Sequence, residues 1–192
     1  MYAQWDRALA DELLAEFALP LRRNVKKLSR GMLSAVGIVV GLASRARLTL
    51  FDEPYLGLDA VARQLFYDRL LADVAEHPRT VLLSTHIIDE VSDLLEHVVL
   101  IDRGRILLAG SADDLRGRAI TVTGPTAAVD RFAAPHDELH REQLGGVSRV
   151  MVAGALTKAD HAMAGALGLD VDAVSLQQLV VRTTTRRKEN AR

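Results

Sequence analysis

Cysteine is absent from the 192-residue chain, which removes disulfides, thiolate catalysis and cysteine-based metal sites. Lysine is nearly absent: the only copies are Lys26, Lys27, Lys158 and Lys188, and none follows a glycine. The phosphate-cradling loop G-x-x-x-x-G-K-[ST] is therefore missing from the sequence. No long apolar run is present either. The longest, Ala35 to Ala43, falls far short of the ~20 residues of a membrane span. The opening residues MYAQWDRALADELL carry acids and lack the apolar core of a secretory leader. A net charge of −1 gives no hint of a nucleic-acid surface or of a funnel for acidic substrates. What remains is an ordinary globular composition, long enough for one domain and a small appendage.

Periodicity orders the chain. Trp5, Leu9, Leu13, Leu14 and Phe17 recur at helical spacing and predict an amphipathic helix ended by Pro20. The basic stretch Leu21 to Lys27 follows, then LSRGM and a small-residue helix to about Ser44. Leu48 to Phe51 and Thr80 to Thr85 read as short buried strands, with a helix over Ala60 to Glu76 between them. A helix from Ile87 to Glu96 leads to a hairpin, Val98 to Gly110, turning at Arg103-Gly104, and a short helix to Arg118. Strand–helix–strand with continuous apolar strands predicts an α/β core with a parallel sheet over residues 1–118. Strands at Ile120 to Thr123 and Val147 to Ala153 follow. With helices at Ala127 to Phe132 and Lys158 to Leu167, and a last element at Leu176 to Val181, they predict a small α+β domain over 119–183. Composition marks 184–192 as a disordered tail.

Three places carry chemistry, in a fixed order. Ser29 stands where a helix starts, beside Gly31, and a helix N-terminus is a ready anion site as well as an ordinary cap. Asp52 ends a strand, where α/β sheets place ligand-binding groups; it can hold Mg²⁺, and Glu53 beside it can orient or deprotonate a water. His86 follows the next strand, so two parallel strands bring DE and H to one sheet edge.

Together these stretches resemble the nucleotide-binding subunit of ABC transporters. LSRGM is similar to the family's signature motif, usually LSGGQ, and LTLFDE to its Walker B strand. Leu56 to Asp59 resembles the D-loop and His86 the switch histidine. The hairpin after it and VSLQQLVV, Val174 to Val181, resemble later segments of such subunits. The resemblance runs from about Leu13 to Leu115. It implies a partial P-loop NTPase core lacking the P-loop strand, and ATP with Mg²⁺ as cofactors. Asp52 would hold the metal, Glu53 would act on the attacking water and His86 would sense the γ-phosphate. Ser29, Gly31 and Asp59 would complete nucleotide contacts across a dimer of two ATP-binding subunits. The expected second partner is a membrane permease subunit, which places the chain at the inner face of the cell membrane.

The departures are equally specific. The family carries its P-loop and Q-loop upstream of the signature, but only 27 residues precede Leu28. The chain is therefore expected to start inside the helical subdomain, with apolar strands left open and no tight ATP binding of its own. Met1 is then either an internal start in a complete ATPase or the start of a non-catalytic remnant or interaction fragment. Arg30 and Met32 replace a glycine and a glutamine of the common signature. DNA-repair and chromosome ATPases share these motifs, yet they carry long coiled coils, and no sustained heptads occur here. HDELH, His136 to His140, matches zinc-protease spacing only superficially, with Asp137 at the glutamate position, and reads as a solvated helix face. The basic run Arg22, Arg23, Lys26, Lys27 reads as a solvated face as well.

Overall fold

Asp6 accepts the Leu9 amide at 3.0 Å and caps helix α1, Arg7–Glu16, the first element of the computed structural model, which describes residues 4–190. The chain divides by its contacts into two units, Met1–His86 and Ile87–Arg192.

In the first unit a 3₁₀ turn, Val25–Lys27, precedes α2, Arg30–Ala43. Strand β1, Leu48–Asp52, helix α3, Ala60–Glu76, and strand β2, Thr80–Ser84, follow. The alternation predicted from the sequence is thus present, and β1 and β2 pair in parallel from Leu48↔Thr80 to Asp52↔Ser84. α2 packs against α1, β1 and α3. Leu13, Ile38, Leu42 and Phe66 are fully buried, and Phe51 meets Phe66 edge-on at 5.4 Å. Near the far end of β1 a buried charge cluster ties the elements: Asp73 takes ion pairs from Arg45 and Arg79, and Arg45 reaches Asp6 at 2.8 Å. Burial lowers the Arg79 pKa, and the positive charge of Arg45 adds to it.

The strands predicted to be buried are covered on one face only. Thr49 and Phe51 are buried, but Leu48, Leu50 and Leu82 are 56%, 65% and 61% exposed. A parallel pair normally has both faces covered; among the described residues of this unit, the helices lie over just one.

The second unit opens with a short helix α4, Ile88–Val91, and a 3₁₀ turn, Ser92–Leu94. The predicted hairpin follows as β3, His97–Asp102, and β4, Arg105–Ser111, with Arg103 and Gly104 both at positive φ. Helix α5, Ala112–Arg116, is capped by Ser111. Next come β5 (Ala119–Pro125), α6 (Thr126–Ala133), β6 (Glu138–Leu144), β7 (Val147–Ala153), α7 (Lys158–Ala166) and β8 (Asp170–Ala173). The sheet order β6-β7-β5-β8, antiparallel throughout, makes this a split β-α-β-β-α-β arrangement. Val122, Val150 and Val152 pack with Val129 and Phe132 in one core; Met151, Leu176 and Leu179 belong to a second.

Three sequence expectations change here. HDELH is not a helix face: Glu138, Leu139 and His140 lie in β6, an edge strand absent from the predicted elements. His136 stacks on Phe132 at 4.9 Å and its Nε2 lies 3.4 Å from Asp160, so it serves packing rather than a metal. β8 is a further unpredicted strand. The last element, α8, runs Leu176–Asn190 and takes in most of the segment marked as a disordered tail; residues 191–192 lie outside the described residues. A reciprocal cap between Ser175 and Gln178 starts this helix, and the hydroxyls of Thr183, Thr184 and Thr185 donate to the carbonyls four residues back.

Candidate functional site

The equal length of β1 and β2 and their parallel register bring Asp52 and Ser84 side by side at the C-terminal edge of the sheet. The Ser84 hydroxyl donates to Asp52 Oδ1. One residue on, the Glu53 amide bonds the Ser84 carbonyl at 3.3 Å, and Glu53 turns into the left-handed region at φ 47°. That conformation is costly for a residue with a Cβ, roughly 1–3 kcal/mol, and such strain gathers at functional sites. The turn aims the Glu53 carboxylate at His86, whose Nδ1 lies 2.6 Å from Oε1. The other carboxylate oxygen, Oε2, is buried without a hydrogen-bond partner. A buried acceptor without a donor costs stability unless something else fills its place.

Beneath this edge sits Tyr55, 2% exposed, whose hydroxyl donates to Thr85. Burial pushes the Tyr55 phenol up to about 12; the bond to Thr85 works against this, and Glu53 adds to the rise. The phenol therefore stays protonated at neutral pH.

The N-terminus of α2 forms a second cluster with the turn before α3. Ser29 accepts the Met32 amide at 3.2 Å as the N-cap. Gly31 lies against the turn so closely that a Cβ there would stand 2.2 Å from the Gly57 carbonyl oxygen. Gly57 itself has φ 86°, and Ser34 donates to the Leu56 carbonyl at 2.7 Å. Asp59 caps α3 by accepting the Ala62 amide at 2.8 Å.

Every residue singled out in the sequence thus falls into one of two groups. Asp52, Glu53 and His86 converge at the sheet edge, while Ser29, Gly31 and Asp59 belong to the helix–turn cluster. Ser84 and Tyr55 were not singled out. Ser84 carried no separate signal: the sequence ends the expected strands at Phe51 and Thr85, and the register that sets Ser84 beside Asp52 emerges only in the sheet. Tyr55 carried no pattern of its own, since its burial depends on tertiary packing.

The donor set suits a hard cation. A carboxylate and a hydroxyl sit together at an exposed strand end, all oxygen, with the partnerless Glu53 Oε2 close in sequence; that chemistry fits Mg²⁺. Among the described residues no cluster of three or more His, Cys, Asp or Glu could hold a metal from the protein alone, so the remaining ligands would come from water and phosphate.

Known proteins match parts of this chain. Residues 21–93 match a family described as "AAA domain, putative AbiEii toxin, Type IV TA system". The chain is 36% identical over 115 residues to the doxorubicin resistance ATP-binding protein DrrA of Mycobacterium tuberculosis, covering 59% of this chain and 34% of that protein. It is 30% identical over 182 residues to the daunorubicin resistance ATP-binding protein DrrA3 of Streptomyces coeruleorubidus, covering 82% and 57%. Among solved structures, an ATP-binding subunit of an ABC transporter superposes with a TM-score of 0.51 at 32% identity, over 58% of this chain and 48% of that one. A putative cobalt transport ATP-binding protein shares the fold at a TM-score of 0.52 and 23% identity. The chain spans from about a third to just over half of the length of these curated relatives.

Proposed function

We infer from the chain's kinship with ABC transporter ATP-binding proteins, part of whose ATPase domain it carries, that its sheet edge is the metal and water side of an ATP site. The observation that carries this reading is the convergence of Asp52, Ser84, Glu53 and His86 on one strand edge. Asp52, steadied by the Ser84 hydroxyl, would hold Mg²⁺. Bound there, the ion would neutralise charge building on the transferred phosphate. Glu53 Oε2 is the free acceptor that would take up the attacking water. His86 Nδ1 lies against Glu53 Oε1, so its other ring nitrogen, Nε2, is left to meet a γ-phosphate oxygen. Ser29 and Gly31 would face the nucleotide of a second ATP-binding subunit and Asp59 the dimer contact, with a membrane permease subunit as the driven partner.

Since no G-x-x-x-x-G-K-[ST] loop occurs in the sequence, the phosphate cradle has to come from another polypeptide segment. The chain by itself is expected to bind Mg-ATP weakly and to hydrolyse none. A second reading, an interaction fragment without catalysis, is favoured by that gap and by the open leucine face of β1 and β2. One experiment separates them. The chain is mixed with an intact ABC ATP-binding subunit, and association and ATPase rate are followed. Association with an ATPase rate that changes, and that loses its change in Ser29→Arg, supports the first reading. Association that ignores both nucleotide and Ser29→Arg supports the second. No association ends both.

A further inference from the structure

The loop between α1 and α2 gathers positive charge in one short stretch. Elsewhere several half-buried arginines are paired: Arg69 with Glu12 and Glu16, Arg116 with Asp113, Arg141 with Asp130 and Glu138, Arg182 with Glu142. Between Pro20 and Lys27 the sequence is PLRRNVKK, four cations in eight residues without one acid. No side chain of Arg22, Arg23, Lys26 or Lys27 makes an ion pair among the described residues. In a chain of net charge −1, a patch of +4 is a strong local departure.

The apolar residues of the same loop are turned outward too. Leu21 is 75% exposed and Val25 59%. Pro20, Leu21, Arg22, Arg23, Asn24 and Lys27 line an open basin of about 700 Å³. The loop is not slack: Asn24 caps its turn through Lys26, and the Arg23 amide bonds the Pro20 carbonyl at 2.9 Å. Unpaired cations beside outward apolar side chains, held in a fixed shape, suit a surface that is anionic outside and apolar beneath.

We propose that Pro20–Lys27 docks on anionic lipid headgroups, the cations meeting phosphates while Leu21 and Val25 enter the boundary with the acyl chains. A nucleic acid would engage the cations but leave the two apolar side chains without a role, and the low aromatic content offers it no stacking surface. The contact needs neither ATP nor the sheet edge, so it stands or falls separately from the ATPase reading.

The test is co-sedimentation of the full chain with vesicles of phosphatidylglycerol in phosphatidylcholine, against phosphatidylcholine alone. Each cation near an anionic surface contributes about a fivefold change in partitioning, so anionic vesicles should bind more than about tenfold better, and salt should reverse the difference. The double variant Arg22→Glu/Lys26→Glu should lose that preference, with circular dichroism confirming an unchanged fold. Leu21→Ser/Val25→Ser should weaken vesicle binding severalfold while leaving binding to heparin as it was. Retained vesicle binding in the charge-reversed variant overturns the proposal, as does equal binding to both vesicle types. If the apolar variant binds vesicles and heparin like the parent, the loop is a general polyanion surface and the lipid assignment falls.

Discussion

The β1–β2 sheet and the β5–β8 sheet use strands of similar length, yet one is left half bare and the other is covered. β5 lies between β7 and β8, both of its ladders are occupied, and Val122, Val150 and Val152 are wholly buried. β1 has one paired edge, and its outward face presents Leu48 and Leu50 beside Leu82 of β2. Two strands cannot bury two apolar faces, whereas four strands with helices α6, α7 and α8 can. The antiparallel sheet therefore carries its own core, while the parallel pair leaves an apolar face open among the described residues.

Truncation at the covered sheet should give the largest effect. Phe132→Ala empties a fully buried site and should lower stability by about 3–5 kcal/mol in urea titrations, against less than about 0.5 kcal/mol for Leu82→Ser on the open face. A similar cost for both would mean that the leucine face is covered in solution. Next, Gly31→Ala forces a methyl group onto the Gly57 carbonyl and should cost about 1–3 kcal/mol, lost from the first unit alone. Site-resolved hydrogen exchange would show whether the second unit keeps its protection.

The smallest effect is acid sensitivity, expected in both units. The Leu9 amide, with Arg45 beside it, holds Asp6 below the usual carboxylate range, and hydrogen bonds from Arg141 do the same for Glu138. A carboxyl whose pKa is depressed in the folded state stabilises the fold above its unfolded pKa, and loses that contribution as pH falls through the folded value. Urea midpoints should thus drop between about pH 5 and about pH 3, and Asp6→Asn or Glu138→Gln should each flatten the drop by a small amount.

The sequence told much about the first unit and less about the second, for a physical reason. Apolar runs such as Leu48 to Phe51 and Thr80 to Thr85 announce themselves, each within one residue of the strand observed, and α3 spans the residues its periodicity predicts. β6, ELHREQL, is an edge strand whose side chains are mostly charged or polar, and β8, DVDA, carries two acids in four residues. Both exist because a neighbour supplies backbone partners, a signal that side-chain patterns do not hold. The site divides the same way. Asp52, Glu53 and His86 were legible from their order, while Ser84 and Tyr55 depended on register and burial. The leucine side chains of β1 read as buried because hydrophobicity reports what a strand needs, not whether a cover is present.

The pairing of Asp52 with Ser84 has a consequence for how this sequence can vary. Side chains alternate along a strand, so the carboxylate and the hydroxyl share a face only while both strands keep the same parity between their paired starts and ends. Substitutions at Leu48, Leu50 or Leu82 leave that parity alone. Insertion or deletion of a single residue within either strand would send one partner to the opposite side and part the two groups, whatever residue was added. Leu48, Leu50 and Leu82 should accordingly accept changes of letter far more readily than either strand accepts a change of length.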